Sequence, residues 1–278
     1  MVNTNSLLPA EPLRVAIGGF GAIGQVVGQR LDEGIDGLRL VAVSARDAAR
    51  ASQRMADYRH PASVLPLVEL AGNADVVIES APAAVFSDVA EPAVRAGRIF
   101  MPISVGALLS NWHVVDLAKT HRARIIVPTG ALLGLDAVRA AAEGDINTVT
   151  MVTRKPPAAL VGSPYVDEHN IDLRNLDAPL KLFEGSAREG AKGFPANVNV
   201  AAALGLAGVG VDQTRLEIWA DPTVSRNTHR IVVDADSARF ELSIENVPSE
   251  QNPRTGRIVA LSVIATLKRL VTPLTVGT

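Results

Sequence analysis

The hydrophobic pattern changes part-way along the chain. Up to about residue 130, short runs that are apolar throughout alternate with segments of helical periodicity. Five apolar runs predict strands at 13–19, 38–45, 74–81, 98–104 and 123–129, and a helix is expected after each of the first four. Strands without polar positions are typical of a parallel sheet that is covered on both faces. The first part of the chain therefore predicts an α/β domain with a doubly wound parallel sheet.

After about residue 145, polar and apolar positions alternate instead. This alternation predicts strands with one solvated face at 147–155, 214–221, 227–235 and 238–246. Helices are expected at 185–208 and 255–270. The segment 156–180 is rich in Pro and Asp and predicts a long loop, of the kind that often serves as a functional lid. The second part is thus expected to be α+β, with a largely antiparallel sheet.

The two patterns suggest two domains. A length of 278 residues suits two domains of modest size. We place the first at residues 1–135 and the second at residues 136–278. The apolar helix at 255–270 is a candidate to pack back onto the first domain.

Composition argues against several classes of function. Lys and Arg number 27 against 29 Asp and Glu, and no basic stripe indicates nucleic acid or a membrane surface as a partner. There is no cysteine, and no two of the five histidines have metal-ligand spacing, so we expect no metal. The first dozen residues lack the features of a signal peptide, and the longest uncharged apolar stretch is too short to span a bilayer. We expect a soluble, cytoplasmic protein.

A glycine-rich turn follows the first predicted strand. Gly19, Gly21 and Gly24 form a G-x-G-x-x-G motif between that strand and a helix, which is the context that dinucleotide binding requires. Gly19 permits the tight turn, Gly21 lets the backbone approach a pyrophosphate, and Gly24 lets the helix pack closely on the strand. The helix start at Ala22 and Ile23 offers free N–H groups to phosphates. The alternative is a turn without a ligand, but the context favours a Rossmann-type dinucleotide site.

The end of the second predicted strand bears on the choice of cofactor. An acidic residue there normally binds the ribose 2′-hydroxyl of NAD. Here the strand ends in "VAVSARD", which puts Ser44 and Arg46 near that position. A hydroxyl and a guanidinium suit a 2′-phosphate, so the sequence favours NADP over NAD. Two alternatives remain: Asp47 is the acid if the register is shifted, or Arg46 is simply solvated.

A histidine falls on the apolar face of the strand predicted at 227–235. Asn227, His229, Ile231 and Val233 point one way, because side chains alternate along a strand. His229 is therefore expected to face inward. It is either a core histidine with one hydrogen-bond partner or a catalytic group at the floor of a cleft. The second interpretation requires this strand to border the first domain.

Five further segments carry a resemblance to a known family. They occur in order along the chain, and the combination of N-V-N with N-x-H is specific. The segments are "PTGALLGLDA" (128–137), "TRKPP" (153–157), "FEGSAREGAKGFPANVNVAAALGLAG" (183–208), "DPTVSRNTH" (221–229) and "ENVPSEQNPRTG" (245–256). With the glycine-rich turn, the chain resembles the L-aspartate dehydrogenase family from about residue 13 to 270. Two features depart from the family: the "DADSARF" after the strand of His229 and the longer leader before Leu13.

The resemblance implies an activity and partners. The expected reaction is NAD(P)-dependent oxidation of L-aspartate to iminoaspartate, which hydrolyses to oxaloacetate and ammonia, or the reverse reductive amination. Iminoaspartate can feed quinolinate and NAD synthesis. The resemblance also implies a homodimer, with the second domain binding substrate and forming the dimer contacts.

The resemblance also implies roles for particular residues. The catalytic histidine of the family falls on His229, and its nicotinamide-side contacts fall on Ala131 and Asn199. Histidine titrates near neutrality, so His229 is expected to accept a proton from the amine and to activate water.

Three more polar residues are candidates for substrate binding. Asn197 and Asn199 lie near a predicted helix start, where one Asn suffices as a cap and the other is available for a ligand. Arg154 and Lys155 offer two cations to a dicarboxylate, unless they form an ordinary solvated strand end.

Other functions fit the same two-domain plan. Dihydrodipicolinate reductase and homoserine dehydrogenase share it, so a related NAD(P)-dependent enzyme acting on another imine, amino acid or semialdehyde is the first alternative. A non-catalytic dinucleotide sensor is the second. Fold alone does not separate these possibilities, because function depends on the site.

Overall fold

A computed structural model describes residues 11–194, 199–252 and 255–277 of the chain. The chain forms two compact units. Unit 1 takes in the chain up to Pro128 together with Val259–Val276, and unit 2 takes in Thr129–Ile258 together with the residues from Gly277 onward.

Unit 1 contains a six-stranded sheet in which every neighbouring pair is parallel. Its strands are β1 (Leu13–Gly18), β2 (Leu38–Ser44), β3 (Ser63–Val64), β4 (Val76–Glu79), β5 (Ile99–Pro102) and β6 (Arg124–Ile125). Their order is β3-β2-β1-β4-β5-β6, the arrangement of doubly wound dinucleotide-binding domains. The predicted fold class of the first domain is confirmed. The two-residue strand β3 was not predicted, because it is too short to show a pattern.

Helices connect these strands. They are α1 (Ala22–Glu33), α2 (Ala48–Arg54), α3 (Leu70–Asn73), α4 (Phe86–Arg95), α5 (Val105–Ser110) and α6 (His113–His121). The central strands are fully buried at Val15 and Ile17 in β1 and at Val76 and Ile78 in β4. This burial explains why the strand sequences contain no polar alternation.

Unit 2 contains a five-stranded mixed sheet. Its strands are β7 (Ile146–Lys155), β8 (Leu180–Ser186), β9 (Arg215–Ala220), β10 (Asn227–Ala235) and β11 (Arg239–Asn246), in the order β11-β10-β7-β9-β8. All neighbours are antiparallel except β7 and β9, which run parallel. The helices of this unit are α7 (Leu135–Ala141), α8 (Pro164–Glu168), α9 (Ala187–Gly193) and α10 (Asn199–Ala207). The prediction of an α+β unit with a largely antiparallel sheet is confirmed.

The segment 156–208 differs in detail from its prediction. The expected loop contains the short helix α8, and its end together with the start of the expected helix at 185 forms strand β8. In β8 only Leu182 is buried, so this edge strand shows little apolar patterning. Helix α9 begins after a capping box, in which Ser186 and the side chain of Glu189 each bond the other's backbone N–H.

The last helix of the chain, α11 (Arg257–Arg269), contributes to the core of unit 1. Its buried side chains include Ala260, Val263, Ile264 and Leu267, which share one hydrophobic cluster with β1. Their spacing of i, i+3, i+4 and i+7 puts them on a single helix face. In the part of the chain that the structure describes, no helix is both long and apolar enough to cross a membrane.

Candidate functional site

Two glycines of the turn after β1 are required by sterics. Gly19 has φ of +100°, and a Cβ there would lie 2.5 Å from the carbonyl oxygen of Ser80. A Cβ on Gly24 would lie 2.2 Å from the carbonyl oxygen of Gly19. The turn and the close approach of α1 to β1 therefore both depend on glycine.

Gly21 has a different environment. A Cβ built on it meets no described atom within 4 Å, so this side of the turn is open. Gly21 is also the N-cap residue of α1, and the first turn of that helix carries no acidic side chain. Ala22 and Ile23 therefore present their N–H groups at a helix N-terminus, where the helix dipole favours an anion. The turn fits the pyrophosphate of a dinucleotide.

A basic side chain that the sequence analysis overlooked lies beside this turn. The carbonyl oxygen of Phe20 accepts hydrogen bonds from Gln25 Nε2 at 3.0 Å and from Arg54 Nη1 at 3.5 Å. Arg54 is the last residue of α2, and its separation from Phe20 in sequence gave no sign of this contact. The guanidinium adds positive charge near the proposed phosphate position.

The end of β2 lies next to the same turn. The carbonyl oxygen of Ser44, which is buried, accepts a hydrogen bond from the N–H of Gly19 at 3.0 Å. Arg46 is exposed just beyond the strand. Asp47 caps α2, because its Oδ1 accepts a hydrogen bond from the N–H of Arg50 at 2.9 Å. Asp47, the alternative acid for binding the ribose, therefore already accepts a hydrogen bond from the protein with one carboxylate oxygen.

A buried carboxylate that sequence reasoning missed lies at the end of β4. Glu79 is fully buried and accepts hydrogen bonds at 3.0 Å from Ala81 N–H and from both the N–H and the hydroxyl of Ser104. Burial raises the pKa of Glu79, although these hydrogen bonds oppose the shift. Glu79 is paired with Gly18 in the sheet, so it ties together the loops beside the glycine-rich turn.

In unit 2, His229 does face inward, as its position in the strand predicts. It lies on β10 directly opposite Thr153 of β7, and Thr153 Oγ1 is 3.0 Å from His229 Nδ1. Both side chains are buried, with exposures of 2% for Thr153 and 3% for His229. No hydrogen bond joins Nε2 to any described residue, which leaves this nitrogen available for a ligand.

The prediction that His229 titrates near neutrality is wrong, because the side chain is buried. Burial lowers the pKa of His229 to about 3, and the positive charge of Lys155 lowers it as well. The ring is therefore neutral at pH 7 rather than partly charged. A neutral imidazole can accept a proton transiently but does not hold one between catalytic steps.

The two adjacent cations of β7 lie on opposite faces of the sheet. Lys155 lies two residues after Thr153 and shares its face; it is 5% exposed, and burial lowers its pKa to about 8. Arg154 faces the other way, where Nη1 is 2.9 Å from Asp221 Oδ2 and the guanidinium is 4.8 Å from the ring centroid of Trp219. The structure brings Lys155, but not Arg154, together with His229.

A second contact missed in the sequence holds the loop of Ala131. Asn246, buried at the end of β11, donates from Nδ2 to the carbonyl oxygen of Ala131 at 3.1 Å. Its Oδ1 has no hydrogen-bond partner among the described residues. Asn246 is separated from Ala131 by 115 residues, so only the fold reveals the pair.

The sequence matches two known family descriptions. "Aspartate dehydrogenase, C-terminal" matches residues 136–270, and "Homoserine dehydrogenase, NAD binding domain" matches residues 19–128. The chain is 56% identical to L-aspartate dehydrogenase of Bradyrhizobium diazoefficiens, over 97% of this chain and 95% of that protein. It is 39% identical to L-aspartate dehydrogenase of Methanosarcina acetivorans, over 96% of this chain and 100% of that protein. The chain belongs to the L-aspartate dehydrogenase family.

A solved structure agrees at the level of the fold. The crystal structure of aspartate dehydrogenase from Thermotoga maritima matches with a TM-score of 0.74 at 24% identity, covering 95% of this chain and 99% of that one. Membership of the L-aspartate dehydrogenase family makes the protein an oxidoreductase that uses a nicotinamide dinucleotide.

Two predicted site residues remain, Asn197 and Asn199. Asn199 is the first residue of α10 and is half-buried. Asn197 lies outside the described residues, so its predicted role in binding substrate stays a prediction.

Proposed function

We propose that the protein catalyses the NAD(P)-dependent oxidation of L-aspartate to iminoaspartate, which hydrolyses to oxaloacetate and ammonia, and the reverse reductive amination. The observation that carries this proposal is the buried group of Thr153, His229 and Lys155 on one face of the unit 2 sheet. These residues belong to a chain that shares 56% identity with an L-aspartate dehydrogenase.

The cofactor supplies the redox chemistry, because its nicotinamide ring accepts the hydride from Cα of the amino acid. The glycine-rich turn and the start of α1 hold the pyrophosphate. Ala131 and Asn199 contact the nicotinamide side, and Asn246 fixes the backbone of Ala131 for that purpose. Arg46 binds the 2′-phosphate of NADP, which we therefore favour over NAD.

His229 activates the water molecule that attacks the imine. The hydrogen bond between Thr153 Oγ1 and Nδ1 fixes the orientation of the ring. In the tautomer in which Nδ1–H donates to the threonine, Nε2 is unprotonated and is the nitrogen that meets the substrate. The neutral ring accepts a proton from the water that attacks the imine carbon. Lys155 gives this buried face a positive potential, which favours a substrate with two carboxylates.

We also infer the physiological setting from the family. The product iminoaspartate can enter quinolinate and NAD synthesis, and the enzyme works as a cytoplasmic homodimer. Size-exclusion chromatography with light scattering measures the oligomeric state directly.

The proposed reaction is tested by absorbance at 340 nm. Purified protein is mixed with NAD⁺ or NADP⁺ and with L-aspartate, D-aspartate, L-glutamate or L-homoserine. We expect reduced cofactor to form with L-aspartate at a rate well above the others. Formation with another amino acid instead would favour a related dehydrogenase, and cofactor binding without turnover on any substrate would favour a sensor.

A further inference from the structure

Lys155 and His229 form a pair of nitrogen bases within the core of unit 2. Lys155 is two residues beyond Thr153 on β7, and Thr153 is paired with His229 on β10. Side chains in this diagonal relationship on neighbouring strands are within reach of a long side chain. The inference that follows rests on the proposed oxidation of L-aspartate.

On its other side, Lys155 lies beside strand β9. Its neighbour across to β9 is Ala220, and Thr153 is opposite Ile218, both of them buried. Asp221 comes directly after β9, and its carboxylate accepts hydrogen bonds from Arg154 and Thr223. Of the described residues that these strands place on this face, His229 is the titratable group whose pKa is lowered by the charge of Lys155.

Oxidation of an amino acid needs a base before hydride transfer. The substrate arrives as an ammonium ion, and its nitrogen must lose a proton so that its lone pair can help to expel the hydride. A base is most effective when its pKa is near the working pH. Burial lowers the pKa of Lys155 to about 8, close to that range, whereas the pKa of His229 is about 3.

We propose that Lys155 is a catalytic acid–base residue that exchanges a proton with the substrate nitrogen, while His229 handles the proton of the attacking water. In the first step the N–H bond of the α-ammonium breaks, and the proton moves to Nζ of neutral Lys155. After hydride loss to the cofactor, water adds to the iminium carbon and gives its proton to His229. Lys155 then returns its proton to the nitrogen of the carbinolamine. The C–N bond breaks, and the proton of the carbinolamine hydroxyl passes to the departing ammonia, so that ammonium and oxaloacetate are released. His229 passes its proton to solvent as soon as the carbinolamine has formed, and this is the one proton that the overall reaction releases.

The test separates proton exchange from simple attraction of a carboxylate. Lys155→Arg keeps the positive charge but cannot give up its proton near neutral pH, because the guanidinium pKa is above about 12. We expect kcat for L-aspartate to fall about 10²–10⁴-fold with a change in KM below about tenfold. Lys155→Met, which suits a buried site, covers the case in which the arginine does not fit. Lys181→Arg, on the exposed edge strand β8, is the matched control and should keep kcat and KM.

A second readout does not depend on turnover. In protein labelled with ¹³C-lysine, the Cε signal that is missing from Lys155→Arg belongs to Lys155, and its chemical shift is followed against pH without substrate. A midpoint near pH 8 supports the proposal, and one near the ordinary value of 10.5 overturns it. Normal kcat with raised KM in Lys155→Arg also overturns it, in favour of a carboxylate contact. A wild-type enzyme inactive on L-aspartate would instead refute the proposed function, with the titration still deciding whether Lys155 is poised for proton exchange.

Discussion

Thr153 and His229 face each other across neighbouring antiparallel strands, with Oγ1 of the threonine 3.0 Å from Nδ1 of the imidazole. Both side chains are buried, so water does not compete for this hydrogen bond. The pairing holds the ring in one orientation and leaves Nε2 for substrate chemistry. We therefore propose that Thr153 is a positioning residue that acts through His229.

The role of Thr153 can be measured with two substitutions. Thr153→Val keeps the shape but removes the hydroxyl, and a hydrogen bond contributes about 0.5–1.5 kcal/mol net. We expect kcat for L-aspartate to fall up to about tenfold, since tenfold corresponds to about 1.4 kcal/mol, with little change in cofactor affinity. Thr153→Ser keeps the hydroxyl and should restore most of the rate. Equal kcat in the valine and serine variants would contradict a positioning role.

The burial of Lys155 is expected to lower the free energy of unfolding of the protein. Between pH 10.5 and about 8 the unfolded chain binds a proton that the folded protein does not, so stability falls as the pH falls through this window. Below pH 8 both states carry the proton and the penalty is constant. The shift corresponds to at most about 3 kcal/mol at pH 7.

Lys155→Met should therefore be more stable than the wild type at pH 7 while losing activity. Urea unfolding at pH 7 and at pH 10.5 measures the difference. The gain should shrink at the higher pH, because the folded wild type has lost this proton and the unfolded chain holds it only about half of the time. A methionine variant that is less stable at pH 7 would show that Lys155 makes interactions that outweigh its desolvation.

Two substitutions in the glycine-rich turn should separate the loss of dinucleotide binding from the loss of stability. Gly21→Val puts its Cβ in open space, so we expect an unchanged melting temperature and loss of measurable dinucleotide binding by calorimetry. Gly19→Ala forces a Cβ against the carbonyl oxygen of Ser80 at φ of +100°, so we expect a lower melting temperature. Unchanged cofactor affinity in Gly21→Val would refute the pyrophosphate assignment.

Much of this arrangement can be predicted from sequence. Uniformly apolar strands predict the parallel sheet because both of its faces are buried, and G-x-G-x-x-G after β1 predicts the turn because only glycine fits at Gly19 and Gly24. The inward orientation of His229 follows from the period of a strand. These features depend on short stretches of chain.

The rest of the site depends on contacts between distant parts of the sequence. Thr153 is 76 residues from His229, Asn246 is 115 residues from Ala131, and Glu79 is 25 residues from Ser104. The pKa of His229 depends on how deeply the sheet buries it, so sequence reasoning wrongly predicted titration near neutrality. Likewise, adjacent Arg154 and Lys155 look equivalent in sequence until the strand puts them on opposite faces.

A substitution of Arg46 tests the preference between NAD and NADP. If Arg46 binds the 2′-phosphate, Arg46→Ala should weaken NADP but not NAD, and a hydrogen bond to a charged group is worth about 1.5–3 kcal/mol. We expect KM for NADP to rise about tenfold to a hundredfold. Arg30→Ala, in the last turn of α1, is the control with an exposed arginine. If the KM values for NAD and NADP change by the same factor, Arg46 does not bind the 2′-phosphate.

We infer that His229 is an acid–base residue in the proposed oxidation of L-aspartate. The most direct test is the steady-state kinetics of His229→Ala and His229→Asn, measured beside the wild type with the better cofactor. We predict that kcat falls about 10²–10⁴-fold in both variants, because neither can relay a proton. Cofactor affinity should change little, and the alanine variant should melt somewhat earlier, because it leaves a cavity and removes the buried partner of Thr153. A kcat near that of the wild type in either variant, or an alanine variant that melts much earlier but turns over normally while folded, would contradict the claim and make His229 a core histidine.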